Sequence, residues 1–323
     1  MKTISARNVS EALLLGLNDL KAVGVDRDSR NGPVTLFSEP VTTVYRQPKE
    51  RVLFYPERDA NPFFHLMESL WMLAGRNDVE WISRFSSNIA SYSDDGVTFH
   101  GAYGYRWRQQ FDGIDQIATI AQLLKQNPDD RRTVMQMWSA ELDLGKAGKD
   151  FPCNLTVTFR INPYGSLDMT VFNRSNDMIW GAYGANAVHF SMLQEVMAAW
   201  VGVPVGRYWQ ISTNFHGYHA TLEKHKSLLD LSPGFDLYSL GEVMPYPVVN
   251  VPIENWFQDL FMFMEEGPVI GFQDPWFKKV VTPMWQSWMW WKQKNMKHAL
   301  EDANSIVATD WRRACVEWLE RRA

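Results

Sequence analysis

The stretch that decides the fold is DFPCNLTVTFRINPYGSLDMTVFNRSND, Asp150 to Asp177. Within it LTVTFRI and SLDMTVF alternate apolar and polar residues, the period-two pattern of half-buried strands. NPYG between them has the Asn, Pro and Gly chemistry of a hairpin turn. Cys153 stands at the head of the first strand, directly after Pro152, and Arg174 and Asp177 follow the second. A lone free cysteine is more often a small core residue than a catalyst. At a strand entry, however, its side chain can point into a cleft, where a thiolate needs a cationic neighbour to lower its pKa. Arg174 can supply one.

On the N-terminal side, Val9 to Val23 carries apolar residues at helical spacing, with Asn8 and Ser10 as caps and Gly24 as the stop. RDSRNGPVTL reads as a polar loop leading into strands across Val34 to Tyr45. NPFFHLMESLWMLAG is a second apolar helix, from Pro62 to Gly75, with Glu68 embedded in its apolar pattern. Ile117, Ile120, Ala121 and Leu124 share one face of a helix predicted from Asp112 to Gln126, with Asp112 as its cap. TVMQMW then alternates into a strand.

On the C-terminal side, ANAVHFSMLQEVMAAWVG is apolar nearly all round, the mark of a helix buried in the centre of the fold. The elements predict an α+β fold whose sheet is built largely from sequence-adjacent strands. From about Val251 the chain becomes Trp- and Met-rich and ends in the charged helical piece DWRRACVEWLERRA. The expected organisation is a catalytic region over residues 1–250, with residues 251–323 a helical region packed on the same domain.

Composition narrows the function. Of 323 residues 46% are hydrophobic and 21% charged, the balance of an ordinary globular protein. A net charge of -5 disfavours a bulk nucleic-acid binder, but leaves room for a local basic pocket. MKTISARNVSEALLLGL is interrupted by polar residues and lacks a cleavage site, so no signal peptide is expected. No apolar run has membrane-spanning length. Cys153 and Cys315 lie in unrelated contexts, as expected of free thiols in a reducing cytoplasm.

Several polar residues carry two readings each. Arg131 and Arg132 form either a solvated edge or a pair of planar forks suited to a phosphate. Glu68 is either a surface position on its helix or a general acid and base held among apolar neighbours. In NFHGYH, His216 and His219 have a metal-like spacing but no third ligand nearby; with Tyr218 the cluster better suits a sugar. Trp285, Trp288 and Trp291 fall at helical spacing, which favours packing over stacking on single-stranded nucleic acid.

Taken in order, these pieces resemble the thymidylate synthase family, which includes pyrimidine-nucleotide hydroxymethylases. PCN at Pro152 resembles the nucleophile motif PCH, NRSND at Asn173 resembles QRSxD, and NFHGY at Asn214 resembles DxHxY. NPDDRR resembles the phosphate loop DPDSRR, ESLWMLAG the helix ELLWFLxG, and YGYRW from Tyr103 the segment YGxxW. The resemblance implies a mixed sheet packed with long helices, and a homodimer formed through that sheet. It further implies a pyrimidine deoxynucleoside monophosphate whose phosphate is held by Arg30, Arg174 and Ser175, and by Arg131 and Arg132 from the other subunit. His216 and Tyr218 would hold the sugar hydroxyl, Asn186 would read the base, and Asp177 would face the folate. Cys153 would add to C6 while Glu68 and Tyr103 serve the chemistry, with 5,10-methylenetetrahydrofolate as the one-carbon donor and no metal.

The departures bear on the product. Asn154 replaces a histidine beside the base. NIASYSDDG replaces a segment where synthases carry tryptophans, and the synthases' closing tail has only an echo in FQDPWFKKVVTPM. Hydride transfer needs a closed, dry site, so these changes favour water as the attacking group and a hydroxymethyl product. An ordinary synthase and an inactive nucleic-acid-binding relative are the alternatives. GAYGANA is one residue longer than the family's GxPFN, which places Asn186 at the base only after an insertion. In the family Asn accompanies uracil and Asp cytosine; an amide offers one donor and one acceptor and can flip, so dUMP is favoured over dCMP only slightly. Ser175 points to the deoxy sugar.

Overall fold

The computed structural model describes residues 1–233 and 236–323. Its strands are β1 (Lys2–Ala6), β2 (Val25–Ser29), β3 (Gly32–Leu36), β4 (Val41–Tyr45), β5 (Val134–Gln136), β6 (Asn154–Ile161), β7 (Leu167–Asn173), β8 (Asn176–Asp177), β9 (Val205–Ser212) and β10 (Phe215–Tyr218). The helices of the first half are α1 (Val9–Val23), α2 (Pro62–Leu73), α3 (Val79–Ile82), α4 (Tyr103–Arg108), α5 (Gln116–Gln126) and α6 (Ala140–Asp143). In the second half come α7 (Asn186–Val201), α8 (His219–Lys224), α9 (Ile253–Glu266), α10 (Thr282–Lys292), α11 (Met296–Ser305) and α12 (Thr309–Glu320).

The hairpin read from the opening stretch is β6 and β7, paired antiparallel. They lie in a six-stranded mixed sheet of order β1-β4-β9-β7-β6-β5. Within this sheet only β5, β6 and β7 are neighbours in both sequence and space, so the expectation of mostly adjacent strands is corrected. β9 runs parallel to β7, and a parallel partner needs a crossover. Helix α7 provides it, and its residues from Ala187 to Ala198 are all buried. It packs against α2 and α5 as well as β7 and β9, which makes it the centre of the core.

Two further local readings change. RDSRNGPVTL is not a loop: β2 and β3 pair antiparallel around Arg30 and Asn31, and Gly32, the first residue of β3, has φ 114. Every residue of β2 is exposed, so no apolar alternation marked it. The Asn-Gly pair was the available signal. Helix α5 starts at Gln116, not Asp112, because Asp115 caps it by accepting the Ala118 N–H at 3.0 Å. Asp112 and Gly113 instead have positive φ, 53 and 70, and form a turn.

The four-stranded sheet, β2-β3-β10-β8, carries Arg30 just beyond β2 and His216 and Tyr218 on β10. At the other end of the chain, α9 to α12 form an aromatic cluster against α2 and α3. Trp288 is buried, with Phe63 at 5.4 Å, Phe85 at 5.6 Å and Trp318 at 5.8 Å between ring centroids. In the segment that echoes a closing tail, Phe272, Trp276, Phe277, Val280, Val281 and Met284 are all buried. That segment is core rather than a lid.

Candidate active site

Cys153 is a free, half-buried thiol one residue before β6. Two elements hold its backbone. From α4, the Tyr103 hydroxyl accepts the N–H groups of Cys153 at 3.2 Å and Asn154 at 3.4 Å. From the end of β7, the Arg174 N–H donates to the Cys153 carbonyl at 2.9 Å. The Arg174 side chain also donates to the carbonyls of Pro152 (2.9 Å) and Phe151 (3.2 Å). Burial pushes the thiol above its ordinary value; the Arg174 and Arg30 cations pull it down and the Asp150 carboxylate adds to the rise.

Two cavities meet the residues that hold Cys153. The first, of about 400 Å³, is lined by Arg30, Arg174, Ser175, His216 and Tyr218, together with Trp138 and Asn214. The structure therefore gathers five of the predicted substrate residues at one cationic cleft. His216 is fixed there by Asn214, whose side-chain oxygen lies 2.8 Å from Nδ1. Its ring meets Tyr218 edge-on, with centroids 5.2 Å apart. Arg131 and Arg132 are not brought to this cleft. Both are exposed before β5, and Arg132 pairs with Asp130 at 2.6 Å.

The second cavity, of about 210 Å³, is lined by Glu68, Trp71, Phe99, Tyr103, Asp150, Asn186 and His189, with Ile89 and Tyr92 from the NIASYSDDG stretch. That stretch supplies no indole, but Trp71 of α2 does, so the wall is not free of tryptophan. Glu68 is no outward surface position: its side chain is 17% exposed, and Oε2 lies 3.1 Å from Nε2 of His189. The angle is not that of a hydrogen bond, which leaves Nε2 without a partner among the described residues.

Asn186 reaches this cavity despite the longer loop before it. The stretch before it is the π-helical segment Met178–Ala185, which is kinked at Tyr183 and Gly184. Its amide then belongs to a relay that the sequence reading missed. The Asn186 Nδ2 donates to Asn176 Oδ1 at 3.1 Å, and Asn176 Nδ2 donates to Gln210 Oε1 at 3.0 Å and Ser212 Oγ at 3.1 Å. Gln210 Nε2 in turn donates to the Tyr208 hydroxyl at 2.9 Å. Flipping Asn186 alone would set two amide oxygens against each other, so the amides reorient only together. On its other side Asn186 Oδ1 accepts from Asn154 at 3.4 Å.

Asp177 lines neither cavity. Its Oδ1 accepts the Trp180 N–H at 2.5 Å, and its buried Oδ2 has no partner among the described residues. Burial raises its carboxyl, against the pull of the Trp180 N–H and of the nearby His216 and Arg58. His219 faces Asp26 at 3.1 Å, away from any partnership with His216. Among the described residues no three His, Cys, Asp or Glu side chains converge as a metal set. No helix among them is long and apolar enough to cross a membrane.

Comparison with known proteins agrees with this geometry. The thymidylate synthase family model matches residues 17–238. A deoxyuridylate hydroxymethyltransferase of Pseudomonas phage M6 is 55% identical over all of this chain and 95% of its own length. One from Bacillus phage SP01 is 40% identical over 55% of this chain and 49% of its own length. A thymidylate synthase of Streptococcus suis (strain 05ZYH33) is 29% identical over 63% of this chain and 72% of its own. With the backbone of Cys153 held by Arg174 of one cavity and Tyr103 of the other, this chain belongs to the thymidylate synthase family of one-carbon transferases.

Proposed function

We propose that this chain hydroxymethylates C5 of dUMP, with Cys153 as the nucleophile. The observation that carries this reading is that the two residues holding Cys153 line different cavities, Arg174 the cationic one and Tyr103 the other. A nucleotide with its phosphate at Arg30, Arg174 and Ser175 and its sugar at His216 and Tyr218 extends its base past Cys153 to Asn186. C5 of uracil is a poor nucleophile. Addition of the Cys153 thiolate to C6 sends the electron pair toward O4 and makes C5 an enolate carbon. Glu68 relays protons between the base and water as general acid and base.

The second cavity suits a folate. Its walls offer aromatic and apolar faces from Trp71, Phe99 and Ile89 beside the polar ends of Glu68, Asp150 and Asn186. Trp71 Nε1 is buried beside this cavity without a partner among the described residues. When bound, 5,10-methylenetetrahydrofolate supplies a one-carbon unit at the aldehyde oxidation level. The product then depends on what reaches the new exocyclic carbon on C5. The absence of indoles in the wall segment from Ile89 to Tyr92 and the burial of the tail-like segment as core both favour water. Residues 251–323 act in this reading as a helical buttress on the catalytic region.

A second copy of the chain completes the site. The outer face of the six-stranded sheet carries Val134 on β5, Phe172 on β7, and Trp209 and Ile211 on β9, with Thr156 and Thr158 of β6 and Thr170 of β7 on the same face. Val134 is 44% and Phe172 36% exposed, large apolar groups on a face of mostly uncharged side chains, which suits burial against its own copy. Arg131 and Arg132 precede β5 at the edge of that face, from where they reach the partner's phosphate. Dihydrofolate absorbance with dUMP and methylenetetrahydrofolate tests the reaction: hydroxymethylation forms none, whereas one equivalent per nucleotide would make the chain a synthase.

A further inference from the structure

The second cavity holds two carboxylates, and the chemistry proposed so far uses only one. Glu68 lies 3.1 Å from His189 Nε2 without hydrogen-bond geometry and is assigned the proton transfers at the base. Asp150 is differently placed. Its Oδ2 accepts the Gly101 N–H at 2.7 Å, while Oδ1 makes no hydrogen bond among the described residues. It stands three residues before the nucleophile and on the lining of the cavity that also holds Tyr103 and Asn186.

The backbone is cut to fit this carboxylate. Gly101 has no positive φ to explain it. A Cβ built there would lie 2.8 Å from Asp150 Oδ1 and 3.1 Å from its Cγ, so the missing side chain is what lets the carboxyl lie against the loop. Burial raises the Asp150 carboxyl above its ordinary value, although the Gly101 N–H, His100 and Arg106 oppose the rise. A carboxylate with a raised pKa is a stronger base than one in water.

We infer that Asp150 is the general base that deprotonates the water attacking the exocyclic methylene carbon on C5, an inference that rests on the hydroxymethylation proposed above. The step balances without an oxidant or reductant. A C–O bond forms between water and the methylene carbon as the water proton passes to an Asp150 oxygen. The exocyclic double bond's pair moves through C5 to O4 as an enolate. Its return re-forms the C5–C6 double bond and breaks the C6–S bond, releasing hydroxymethylated nucleotide and the Cys153 thiolate. Protonated Asp150 then returns its proton to solvent. Glu68 keeps the proton transfers at the base, and the two carboxylates divide the work.

The test uses Asp150→Asn, which keeps an oxygen to accept from Gly101, and Gly101→Ala, which displaces the carboxyl. Purified full-length protein is given dUMP tritiated at C5 with methylenetetrahydrofolate, and dUMP affinity is measured separately as a control for folding. Asp150→Asn should release about one equivalent of tritium per site in a burst and then slow by about 100-fold or more in hydroxymethylated nucleotide. Intact-protein mass spectrometry should show the nucleotide joined to the protein, and an added thiol should capture the methylene carbon and restore turnover. Gly101→Ala should show the same partition in milder form. Steady hydroxymethyl production by Asp150→Asn, or loss of tritium release in step with product, would overturn the assignment. Failure of the parent protein itself to hydroxymethylate dUMP would instead overturn the reading on which it rests.

Discussion

Replacing Asn176 by Leu tests whether base reading depends on the buried amide relay. The substitution keeps the branched shape and heavy-atom count, removes one acceptor and two donor contacts, and, because leucine is the bulkier side chain, leaves no space for a substituting water. Asn176 is 2% exposed and Gln210 1%, so Gln210 Oε1 loses its partner in a dry place. One such unsatisfied group costs about 1–3 kcal/mol of stability. The larger effect falls on catalysis, because Asn186 loses the acceptor that fixes its amide. Misplacement of a positioning group by about 1 Å costs on the order of 100-fold in rate. We expect kcat/KM for dUMP to fall by that order while the preference for dUMP over dCMP narrows, since a free amide can turn to suit either base. The assay is product formation by chromatography and mass spectrometry with each nucleotide in turn. A drop in melting temperature with an unchanged ratio of dUMP to dCMP would show that the relay supports the fold and does not set the base.

Further outcomes separate chemistry, binding and packing. Cys153→Ala should abolish product while leaving dUMP affinity within about threefold, whereas Arg174→Ala should weaken dUMP binding by about 10- to 100-fold through lost charged hydrogen bonds; equal losses of affinity in both would misplace the thiol. Asp310, whose Oδ2 accepts from the buried Tyr238 hydroxyl at 3.0 Å, is raised by burial from 3.8 to about 6. Its contribution is therefore present in acid and lost as pH rises through about 6, a cost of about 3 kcal/mol at neutral pH. Asp310→Asn should raise the melting temperature at pH 8 and give no such gain at pH 4, and an equal gain at both would contradict the linkage. Trp288→Ala should cost about 3–5 kcal/mol of unfolding free energy without altering single-stranded nucleic-acid retention, because the ring is packed between Phe63, Phe85 and Trp318.

Much of this was legible in the chain because the candidate site residues fall in short contiguous motifs. Cys153, Arg174 and Ser175 lie on one hairpin and its exit, and alternation alone located that hairpin. The amphipathic or wholly apolar stretches of α1, α2 and α7 gave those helices for the same reason. What escaped depends on distance in sequence. The insertion of β9 between β4 and β7 is a matter of tertiary packing, and β2 has no buried face to betray it. The Asn186–Asn176–Gln210 relay joins residues on a helix and two strands, and a polar residue inside a strand does not announce its partner. Asp150 lay within the very stretch first read, yet nothing in its neighbours marked the cavity that it faces.

The most direct test of the account is the mass spectrum of the nucleotide formed from dUMP, methylenetetrahydrofolate and the purified protein, run in oxygen-18 water and repeated with dCMP. The expected product is dUMP bearing a hydroxymethyl group that carries the solvent oxygen, with little product from dCMP. A methylated nucleotide without that oxygen would contradict it, and would mean that the wall from Ile89 to Tyr92 keeps water out after all.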